Sequence, residues 1–581
     1  MRVLLIHAED SPRRGPWTAE RWDLIVDLGK SSNFSSTEWQ ALARTAVLRA
    51  DSFRHGVDDV LQTRHLFSSC RGRLVDEEGI DWWDLMSLVV APEAQELLTL
   101  RRLARELNGT TELWATRRDW SVDFLAGLVR LHAHSFERSL PRPIAAGVRY
   151  GKALRRFRAA QLREIVLDKW DPALRWRTRF AGRAGRFDRP IVLVPSAYTN
   201  VSRMAAAYAS LIPDTQFLLL ATRQSAKQFD APSNVQVRDL AAYAIANSVE
   251  SEIEALQKRW LQLRGEFERA SDLCALASAG VMNSFPGWIR SGVAVRNAWR
   301  EALTREPVCG VFCGDDSNLF TRVPVLLAAR RKIPTVDFHH GALDGRYLLK
   351  DLPSDLYLAK GEMERDYLTR RCGMPSKKIV VGAPPQETRP PTRARDAADR
   401  GSAILFSEPY ELARMRAEEV YREVLPALCR IAKENNRGVI VKLHPFESCA
   451  QRSKMVRACL EPAEQQLVRV IDGPLTSELL SQAWFGITVE STTVIDCLLS
   501  GVRCFLCGWL SLSPYEYAAQ YARFGVGETL ESALQIGEIP QRLAKPSKTI
   551  AAADLWPTAS KASLRQWLAG TSQTRDARPV S

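Results

Sequence analysis

Short apolar, β-branched runs recur along this chain, and each is followed by a polar or glycine-rich loop and then by a helical pattern. That alternation is typical of parallel sheets whose strands are joined by crossover helices, so it predicts an α/β fold. In the first part of the chain it predicts strands at Val3–Ile6, Leu24–Asp27 and Glu112–Ala115. Residues 82–90 fit a helix or a strand equally well.

Two further groups of strands follow, separated by a proline-rich and highly charged segment at 382–400 that reads as a linker. The predicted strands are Ile191–Val194, Gln216–Leu220, Val308–Cys313, Thr335–Phe338, Leu356–Leu358, Ala403–Phe406, Val439–Leu443, Val468–Ile471, Trp484–Val489 and Arg503–Cys507. A chain of 581 residues is too long for one core, so two or three domains are expected. The strand groups on either side of the linker predict two Rossmann-like α/β lobes that face a central cleft.

The predicted division of the chain follows from these patterns. It comprises an N-terminal α/β region (1–137), a basic helical insertion (138–189), the remainder of the N-terminal lobe (190–381), the linker (382–400), the C-terminal lobe (401–572) and a disordered tail (573–581).

Much of the net charge of +13 lies between Arg138 and Arg189. Within this stretch, Lys152 to Leu167 fits an amphipathic helix, and Trp170 and Trp176 follow among further arginines. A basic helix with interleaved aromatic residues is suited to an anionic membrane surface or another polyanion, of which nucleic acid is the least expected. The alternative is a helix that packs on its own protein and turns its arginines to solvent.

Most of the eleven cysteines lie in apolar runs. Cys504 and Cys507 have redox or zinc spacing, but no second pair of ligands is near them in the sequence, so we interpret them as core residues. This usage fits a reducing cytoplasm. The start of the chain is too short and too soon acidic for a signal peptide, and no run of about 20 apolar residues could span a membrane, so any membrane contact is expected to be peripheral, on the inner face.

Five predicted strands end in clusters of polar residues. The clusters are Pro195-Ser196-Ala197-Tyr198, Gly314-Asp315-Asp316-Ser317-Asn318, His339-His340-Gly341, His444-Pro445-Phe446-Glu447 and Glu490-Ser491-Thr492-Thr493. In open parallel sheets the ligand crevice lies outside the carboxyl ends of the strands. The five clusters therefore predict one shared crevice.

His444 stands between an apolar strand and Pro445, which ends that strand, and a histidine in this place can donate a hydrogen bond to a phosphate. The hydroxyl residues from Ser491 to Thr493 begin the following helix, where they can cap it, bind a phosphate, or do both. Glu490, just before them, is suited to a ribose hydroxyl. The alternative for His444 is an ordinary structural or surface histidine.

Asp315 and Asp316 are adjacent acids, so their side chains point apart and one is expected to face the crevice. That carboxylate could serve as a general base or hold substrate hydroxyls, whereas the alternative is an Asx turn and helix cap assisted by Asn318. His339 and His340 lack a third ligand at metal-site spacing, which favours proton transfer or substrate binding by one of them.

Several function classes are disfavoured by motifs that the sequence does not contain. It has no Gly-x-Gly-x-x-Gly or P-loop motif, which argues against dinucleotide redox chemistry and nucleoside triphosphate hydrolysis. It also has no Gly-x-Ser-x-Gly nucleophile elbow.

The second lobe resembles the C-terminal Rossmann-like lobe of GT-B glycosyltransferases. The matching residues are Lys442-Leu443-His444-Pro445, the run from Thr488 to Gly501 and the strand that follows it. The closest likeness is to bacterial enzymes that build capsule, lipopolysaccharide and teichoic-acid-like polymers, including His-Pro Kdo and sialic-acid transferases and polyol-phosphate transferases. It covers residues 402–521, and His339-His340-Gly341 is similar to a His-Gly loop of some of these families.

The resemblance implies a nucleotide-sugar donor held by the second lobe and a glycan or glycolipid acceptor held by the first. The implied donor-binding residues are Lys442, His444, Pro445, Glu490, Ser491, Thr492 and Thr493, together with Ser407 and Glu408 at the end of a neighbouring strand. For the catalytic base, the resemblance offers Asp315 or Asp316 by analogy with sialyltransferases and His340 by analogy with polyol-phosphate transferases. No Asp-x-Asp motif is evident, so neither a metal nor another cofactor is expected.

The function that we predict from the sequence is therefore a metal-independent glycosyltransferase, with a CMP-Kdo-like or CMP-sialic-acid-like donor favoured. Three alternatives stay open: a CDP-glycerol-type polyol-phosphate transferase, a sugar-nucleotide epimerase, and a non-enzymatic polyanion-binding protein.

Overall fold

The computed structural model describes residues 1–7, 10–28, 36–136, 187–245, 249–270, 273–341, 345–385, 401–410, 417–511, 513, 515–545 and 555–569. Nearly all of the basic stretch at 138–189, most of the linker at 382–400 and the tail at 573–581 lie outside the described residues, so the predictions made for them stay predictions.

Eighteen strands form three sheets in the described part of the chain, and every strand pair is parallel. The strands are β1 (Arg2–Ile6), β2 (Trp22–Asp27), β3 (Ala43–Arg49), β4 (Glu112–Ala115), β5 (Ala133–Ser135), β6 (Ile191–Ser196), β7 (Gln216–Ala221), β8 (Val235–Asp239), β9 (Val308–Cys313), β10 (Thr335–Asp337), β11 (Leu356–Ala359), β12 (Ile379–Val381), β13 (Ser402–Phe406), β14 (Gly438–Lys442), β15 (Val468–Ile471), β16 (Ala483–Thr488), β17 (Cys504–Cys507) and β18 (Glu528–Leu530). The predicted α/β class is confirmed.

The first sheet has the order β3-β2-β1-β4-β5, the second β12-β11-β10-β9-β6-β7-β8 and the third β15-β14-β13-β16-β17-β18. The strands of residues 2–135 thus form a sheet of their own, the N-terminal sheet, which precedes the middle and C-terminal sheets along the chain. Inner strands such as β6 and β16 are buried at every residue, because helices cover both faces of a parallel sheet.

Crossover helices connect these strands. The helices are α1 (Ser36–Gln40), α2 (Val57–Leu66), α3 (Trp83–Glu106), α4 (Trp120–Leu128), α5 (Thr199–Ser210), α6 (Glu250–Arg269), α7 (Cys274–Ser278), α8 (Phe285–Arg305), α9 (Leu319–Arg330), α10 (Glu362–Arg370), α11 (Ala417–Glu434), α12 (Cys449–Ala458), α13 (Pro462–Gln465), α14 (Ser477–Ser481), α15 (Thr493–Leu499), α16 (Ala518–Arg523), α17 (Ile539–Ala544) and α18 (Lys561–Ala569). The ambiguous residues 82–90 belong to the start of α3.

The five strands that the sequence pattern missed all lie at sheet edges: β3 and β5, β8 and β12, and β18. An edge strand meets a partner on one side only and is partly exposed, so it does not need a continuous apolar run. In β8, for example, residues after Val235 are exposed or half-buried.

The C-terminal segment returns from the third sheet to the middle sheet. The backbone of Thr558 pairs with Ala383, and α18 packs on β9, where a Cβ added to Gly310 would lie 2.4 Å from the Leu568 carbonyl oxygen. Residues 555–569 therefore pack on the middle sheet, although the sequence division placed them with the C-terminal lobe.

A buried arginine joins the N-terminal region to the middle lobe. The guanidinium of Arg296, 1% exposed, lies 2.8 Å from Asp76 Oδ2 and forms a second ion pair with Glu252. Asp76 also accepts a hydrogen bond from the indole Nε1 of Trp82. Because removing one partner leaves uncompensated buried charge, this cluster fixes how the two parts dock.

Arg296→Met should lower the free energy of unfolding by about 3–5 kcal/mol, because Asp76 and Glu252 would stay buried without their cation. Chemical denaturation followed by tryptophan fluorescence measures this change. Arg290→Met is the matched control. Arg290 lies on the same helix as Arg296, but it pairs with Glu250 of α6 at the surface, so this substitution should lower the free energy of unfolding by about 1 kcal/mol or less. Equal losses in the two variants would contradict the assignment.

Candidate active site

At the carboxyl end of the C-terminal sheet, a buried hydrogen-bond network shapes the loop that carries His444. Glu447 Oε2 accepts from the backbone N of His444 at 2.8 Å, and Glu447 Oε1 accepts from Ser407 Oγ at 2.8 Å. Arg452 Nε lies 2.7 Å from the same Oε1, and Ser407 also shares a 2.7 Å hydrogen bond with the Tyr421 hydroxyl. Ser407, predicted as a donor-site residue, is thus a buried support of that loop.

His444 presents one ring nitrogen as a donor. Its Nδ1 lies 3.2 Å from the backbone N of Phe446, so Nδ1 accepts and the proton belongs on Nε2. Burial and the neighbouring Lys442 cation lower the pKa of His444, which keeps the ring neutral at pH 7. Phe446 itself is 62% exposed. A neutral Nε2–H at a strand end is suited to donate to a phosphate oxygen.

Lys442 has a different place from the one predicted. It is buried, and its Nζ donates to the carbonyls of Leu443 at 2.8 Å and Gly473 at 2.7 Å, which ties the loop after β14 to the loop after β15. Pro445 is exposed beside His444. Lys442 therefore positions the loop by its backbone contacts, and its contact with a ligand stays a prediction.

The turn after β16 contains an anion-binding nest that a side chain of the protein already fills. Glu408 Oε1 accepts four hydrogen bonds, from the backbone N of Val489 (3.1 Å), Glu490 (2.8 Å) and Ser491 (3.1 Å) and from Thr488 Oγ1 (2.8 Å). Converging backbone N–H groups of this kind bind anions. Burial raises the pKa of Glu408 to about 7, and the hydrogen bonds only partly oppose it.

The hydroxyl groups of that turn are arranged differently from its amides. Ser491 Oγ accepts from the backbone N of Thr493 at 3.3 Å, so it takes part in a local turn at the start of α15. Thr493 Oγ1 is buried and has no hydrogen-bond partner among the described residues. Because Glu408 occupies the amides, a phosphate at this turn would be held mainly by hydroxyl groups.

Glu490 binds the loop after β17, and that loop contacts the middle lobe. Its Oε1 accepts from Ser511 Oγ and from the backbone N of Ser513 at 3.1 Å, in the loop after β17. Tyr515, in the same loop, packs on Gly345 of the middle lobe, and its carbonyl accepts from the Tyr367 hydroxyl at 2.8 Å. Gly345 has a φ of +71° and a Cβ there would lie 2.4 Å from the Tyr515 ring. The strand-end loops of the two sheets therefore meet.

In the middle lobe, the two adjacent acids point apart as expected, but Asp316 points inward. It is 3% exposed and pairs with Arg322 at 2.7 Å and with Lys350, and it accepts from the Tyr347 hydroxyl at 3.0 Å. Burial alone would raise the pKa of Asp316, but these cations lower it. A carboxylate held in this way is a buried ion-pair partner, which does not suit the predicted role of crevice base.

Asp315 forms the turn that the sequence offered as the alternative to a base. Its Oδ1 accepts from the backbone N of Ser317 at 2.9 Å, and its Oδ2 accepts from Asn318 Nδ2 at 3.3 Å. Asn318 Oδ1 in turn caps α9 through the backbone N of Phe320 and Thr321. The Asx turn thus explains Asp315 without any substrate.

His340 lies close enough to Asp315 for their charges to interact. Burial lowers the pKa of His340 to about 4, despite the opposing effect of Asp315. Its Nδ1 is buried without a hydrogen-bond partner among the described residues. His340 is therefore a neutral imidazole at pH 7 with an unused ring nitrogen.

A lysine that the sequence reasoning missed holds the His339–Gly341 loop. Lys360 Nζ donates to the carbonyls of His339 at 3.1 Å and Gly341 at 2.7 Å and pairs with Glu364 at 2.6 Å. His339 Nδ1 accepts from the backbone N of Gly341 at 3.2 Å. Lys360 directly follows β11, so the strand-end rule applied to every strand would have found it.

Within the described residues, no group of three or more His, Cys, Asp or Glu side chains is arranged to hold a metal ion. No helix in that described part of the chain has the length and apolar character needed to cross a membrane. Independence from metals and contact with a membrane surface stay predictions.

No family model and no curated protein matches this chain. Among solved structures, a putative UDP-N-acetylglucosamine 2-epimerase from Listeria monocytogenes is 12% identical, with a TM-score of 0.41 over 68% of this chain and 99% of that chain. A glycosyltransferase from Rickettsia africae is 10% identical, with a TM-score of 0.38 over 66% of this chain and 94% of that chain. A UDP-GlcNAc 2-epimerase from Methanocaldococcus jannaschii, in complex with UDP-GlcNAc and UDP, is 12% identical, with a TM-score of 0.39 over 63% of this chain and 96% of that chain.

These similar structures include both glycosyltransferases and epimerases, and the narrower resemblance to Kdo and sialic-acid transferases stays a prediction.

Glu408→Gln should remove a pH dependence of stability. Because the folded pKa of about 7 lies above the usual 4.5, ionising Glu408 opposes folding. The stabilisation that protonated Glu408 gives the folded state is fully present below pH 4.5 and is lost as the pH rises through 7. This loss lowers the free energy of unfolding by up to about 3 kcal/mol. Denaturation curves at pH 5 and pH 8 measure the change.

The exposed Glu423→Gln on α11 is the matched control and should keep the wild-type difference between the two pH values. An unchanged difference in Glu408→Gln would show that Glu408 is not the group that titrates.

Proposed function

We propose that this chain is a glycosyltransferase that binds a nucleotide-activated sugar at the carboxyl end of its C-terminal sheet. The observation that carries the proposal is the set of residues that follow three neighbouring strands at that edge. His444 follows β14, the hydroxyl turn at Ser491 follows β16, and the adjacent pair Ser407 and Glu408 at the end of β13 binds the loops on both sides. Strands two positions apart are separated by about 10 Å, which leaves room for a phosphate and its substituents.

In the proposed reaction, an acceptor hydroxyl attacks the anomeric carbon of the donor, and the bond from that carbon to the phosphate oxygen breaks. The electron pair stays on the phosphate oxygen, which His444 Nε2–H stabilises by a hydrogen bond aimed there in advance. The acceptor lies on the middle-lobe side, and the meeting of the two strand-end loops at Tyr515 supports a cleft shared by both substrates.

His340 is the group that we propose as the base for the acceptor hydroxyl. It is neutral at pH 7, whereas Asp316 is held by two cations and Asp315 by its turn. This choice favours the polyol-phosphate-transferase analogy for the base. The CMP-Kdo-like or CMP-sialic-acid-like donor still comes from the resemblance of the second lobe alone.

His444→Ala should weaken nucleotide binding by about 10- to 100-fold, as expected for the loss of a hydrogen bond to a charged phosphate. Isothermal titration of the full chain with CMP, CDP and UDP measures the affinity and ranks the bases. His65→Ala, an exposed histidine on α2, is the matched control. If no nucleotide binds, or if His444→Ala binds as well as wild type, the donor site is wrong.

His340→Gln should lower kcat by about 10²- to 10⁴-fold without changing nucleotide affinity. With a base whose pKa is about 4, kcat/KM of the wild type should rise as the pH passes 4 and stay level above pH 5. Transfer from CMP-, CDP- and UDP-activated donors, followed by product analysis, tests this. An epimerised donor formed without acceptor would instead identify an epimerase, and transfer of a polyol phosphate would identify the other transferase class.

A further inference from the structure

An aromatic side chain is exposed at the proposed donor edge, and the reaction proposed above does not use it. Phe446 follows β14, two residues after His444, and its exposed fraction is 62%. Among the described residues, the other exposed large apolar side chains are all leucines, namely Leu61, Leu128, Leu261 and Leu534. Single exposed leucines are ordinary on a protein surface. An exposed phenyl ring beside a candidate phosphate-binding histidine is instead a feature of the site.

The backbone that carries Phe446 is fixed by hydrogen bonds on both sides of it. Phe446 donates its own backbone N–H to His444 Nδ1 at 3.2 Å, and the backbone N of Glu447 donates to the His444 carbonyl at 2.9 Å. Glu447 Oε2 accepts from the backbone N of His444 at 2.8 Å, and Pro445 restricts the φ angle between them. The exposure of the ring therefore belongs to a fixed loop, so little ordering is needed when a ligand packs on it.

The phenyl ring lies next to the imidazole that is proposed to bind the phosphate. The centroids of the Phe446 and His444 rings are 4.9 Å apart, and their planes are inclined at 61°. Rings that meet edge to face in this way leave a phenyl face open, in agreement with the large exposed fraction of Phe446. A ligand whose phosphate contacts His444 Nε2 would therefore have the phenyl ring beside it.

The chemistry of a nucleotide matches this pair of side chains. A nucleotide carries a flat aromatic base one ribose away from its phosphate, and every base can stack on an aromatic side chain because each has an aromatic face. The phosphate on His444 and the base on Phe446 can belong to one molecule, whose ribose spans the short gap between them. The transferred sugar carries hydroxyl groups and has no aromatic ring, so it matches an exposed phenyl ring less well.

We infer that the nucleobase of the bound nucleotide stacks on Phe446, so that Phe446 and His444 together recognise base and phosphate. The inference rests on the proposed function for the presence of a phosphate-bearing ligand, and it adds that this ligand is a nucleotide rather than a simple sugar phosphate. Stacking does not read the hydrogen-bonding edge of a base. Phe446 therefore supplies affinity for any base, and the choice among bases depends on other contacts.

Titration calorimetry on the full chain tests this inference with four probes: CMP, UMP, uridine and ribose 5-phosphate. Phe446→Ala should weaken nucleotide binding by about 5- to 100-fold, the effect expected when one stacked base is lost. The affinity for ribose 5-phosphate, which has no base, should be unchanged. Phe446→Trp should keep the affinity for nucleotides because an indole also stacks, whereas Phe446→Leu, which is apolar but not planar, should bind as weakly as Phe446→Ala.

Leu534→Ala is the matched control, because Leu534 is an exposed apolar side chain of the same lobe, and all four affinities should stay at the wild-type values. Nucleotide binding that depends on His444 but is unchanged in Phe446→Ala would overturn the inference and leave the proposed donor site standing. An equal loss of ribose 5-phosphate affinity in Phe446→Ala would also overturn it, because the ring would then contact the sugar or the phosphate.

The converse result separates the two proposals in the other direction. If Phe446→Ala loses uridine and nucleotide binding while His444→Ala leaves every affinity unchanged, the phosphate contact of His444 is wrong and the stacking site is supported. If wild type binds none of the four probes, both the stacking site and the donor site are wrong.

Discussion

The carboxylate of Glu408 is the contact on which the proposed donor side of the cleft depends. Three backbone N–H groups and one hydroxyl converge on a single oxygen, so this one side chain fixes the path of the chain after β16. Ser407, its neighbour, fixes the loop after β14 through Glu447. The end of β13 is therefore a common anchor, and His444 and Ser491 keep a constant relation only while that anchor is in place.

The same interaction determines which atoms are available to a ligand. An open nest of amides would attract phosphate by itself, but here a carboxylate that is costly to ionise already satisfies those amides. What is left to the proposed donor is the imidazole of His444 and the hydroxyls of the turn. In the middle lobe, the Asp316 carboxylate is neutralised internally by Arg322 and Lys350.

The sequence was sufficient for the fold class and for the inner strands, because buried parallel strands need continuous apolar runs. It was insufficient for the edge strands, whose exposure relaxes that requirement. It was also insufficient for the direction of individual side chains. Asp316 is held inward in part by Lys350, which lies 34 residues along the chain, and Glu408 meets its amides about 80 residues along the chain.

The return of residues 555–569 to the middle sheet has a mechanical consequence. The chain crosses between the two lobes once after β12 and a second time before α18, and the second crossing is fastened by the Ala383–Thr558 pairing and by the contact at Gly310. The two crossings therefore reach the middle sheet at neighbouring positions. The C-terminal segment can leave that sheet only if the Ala383–Thr558 pairing and the packing of α18 are lost together, so it acts as a clasp that holds the end of the chain to the lobe in which the chain crossed over.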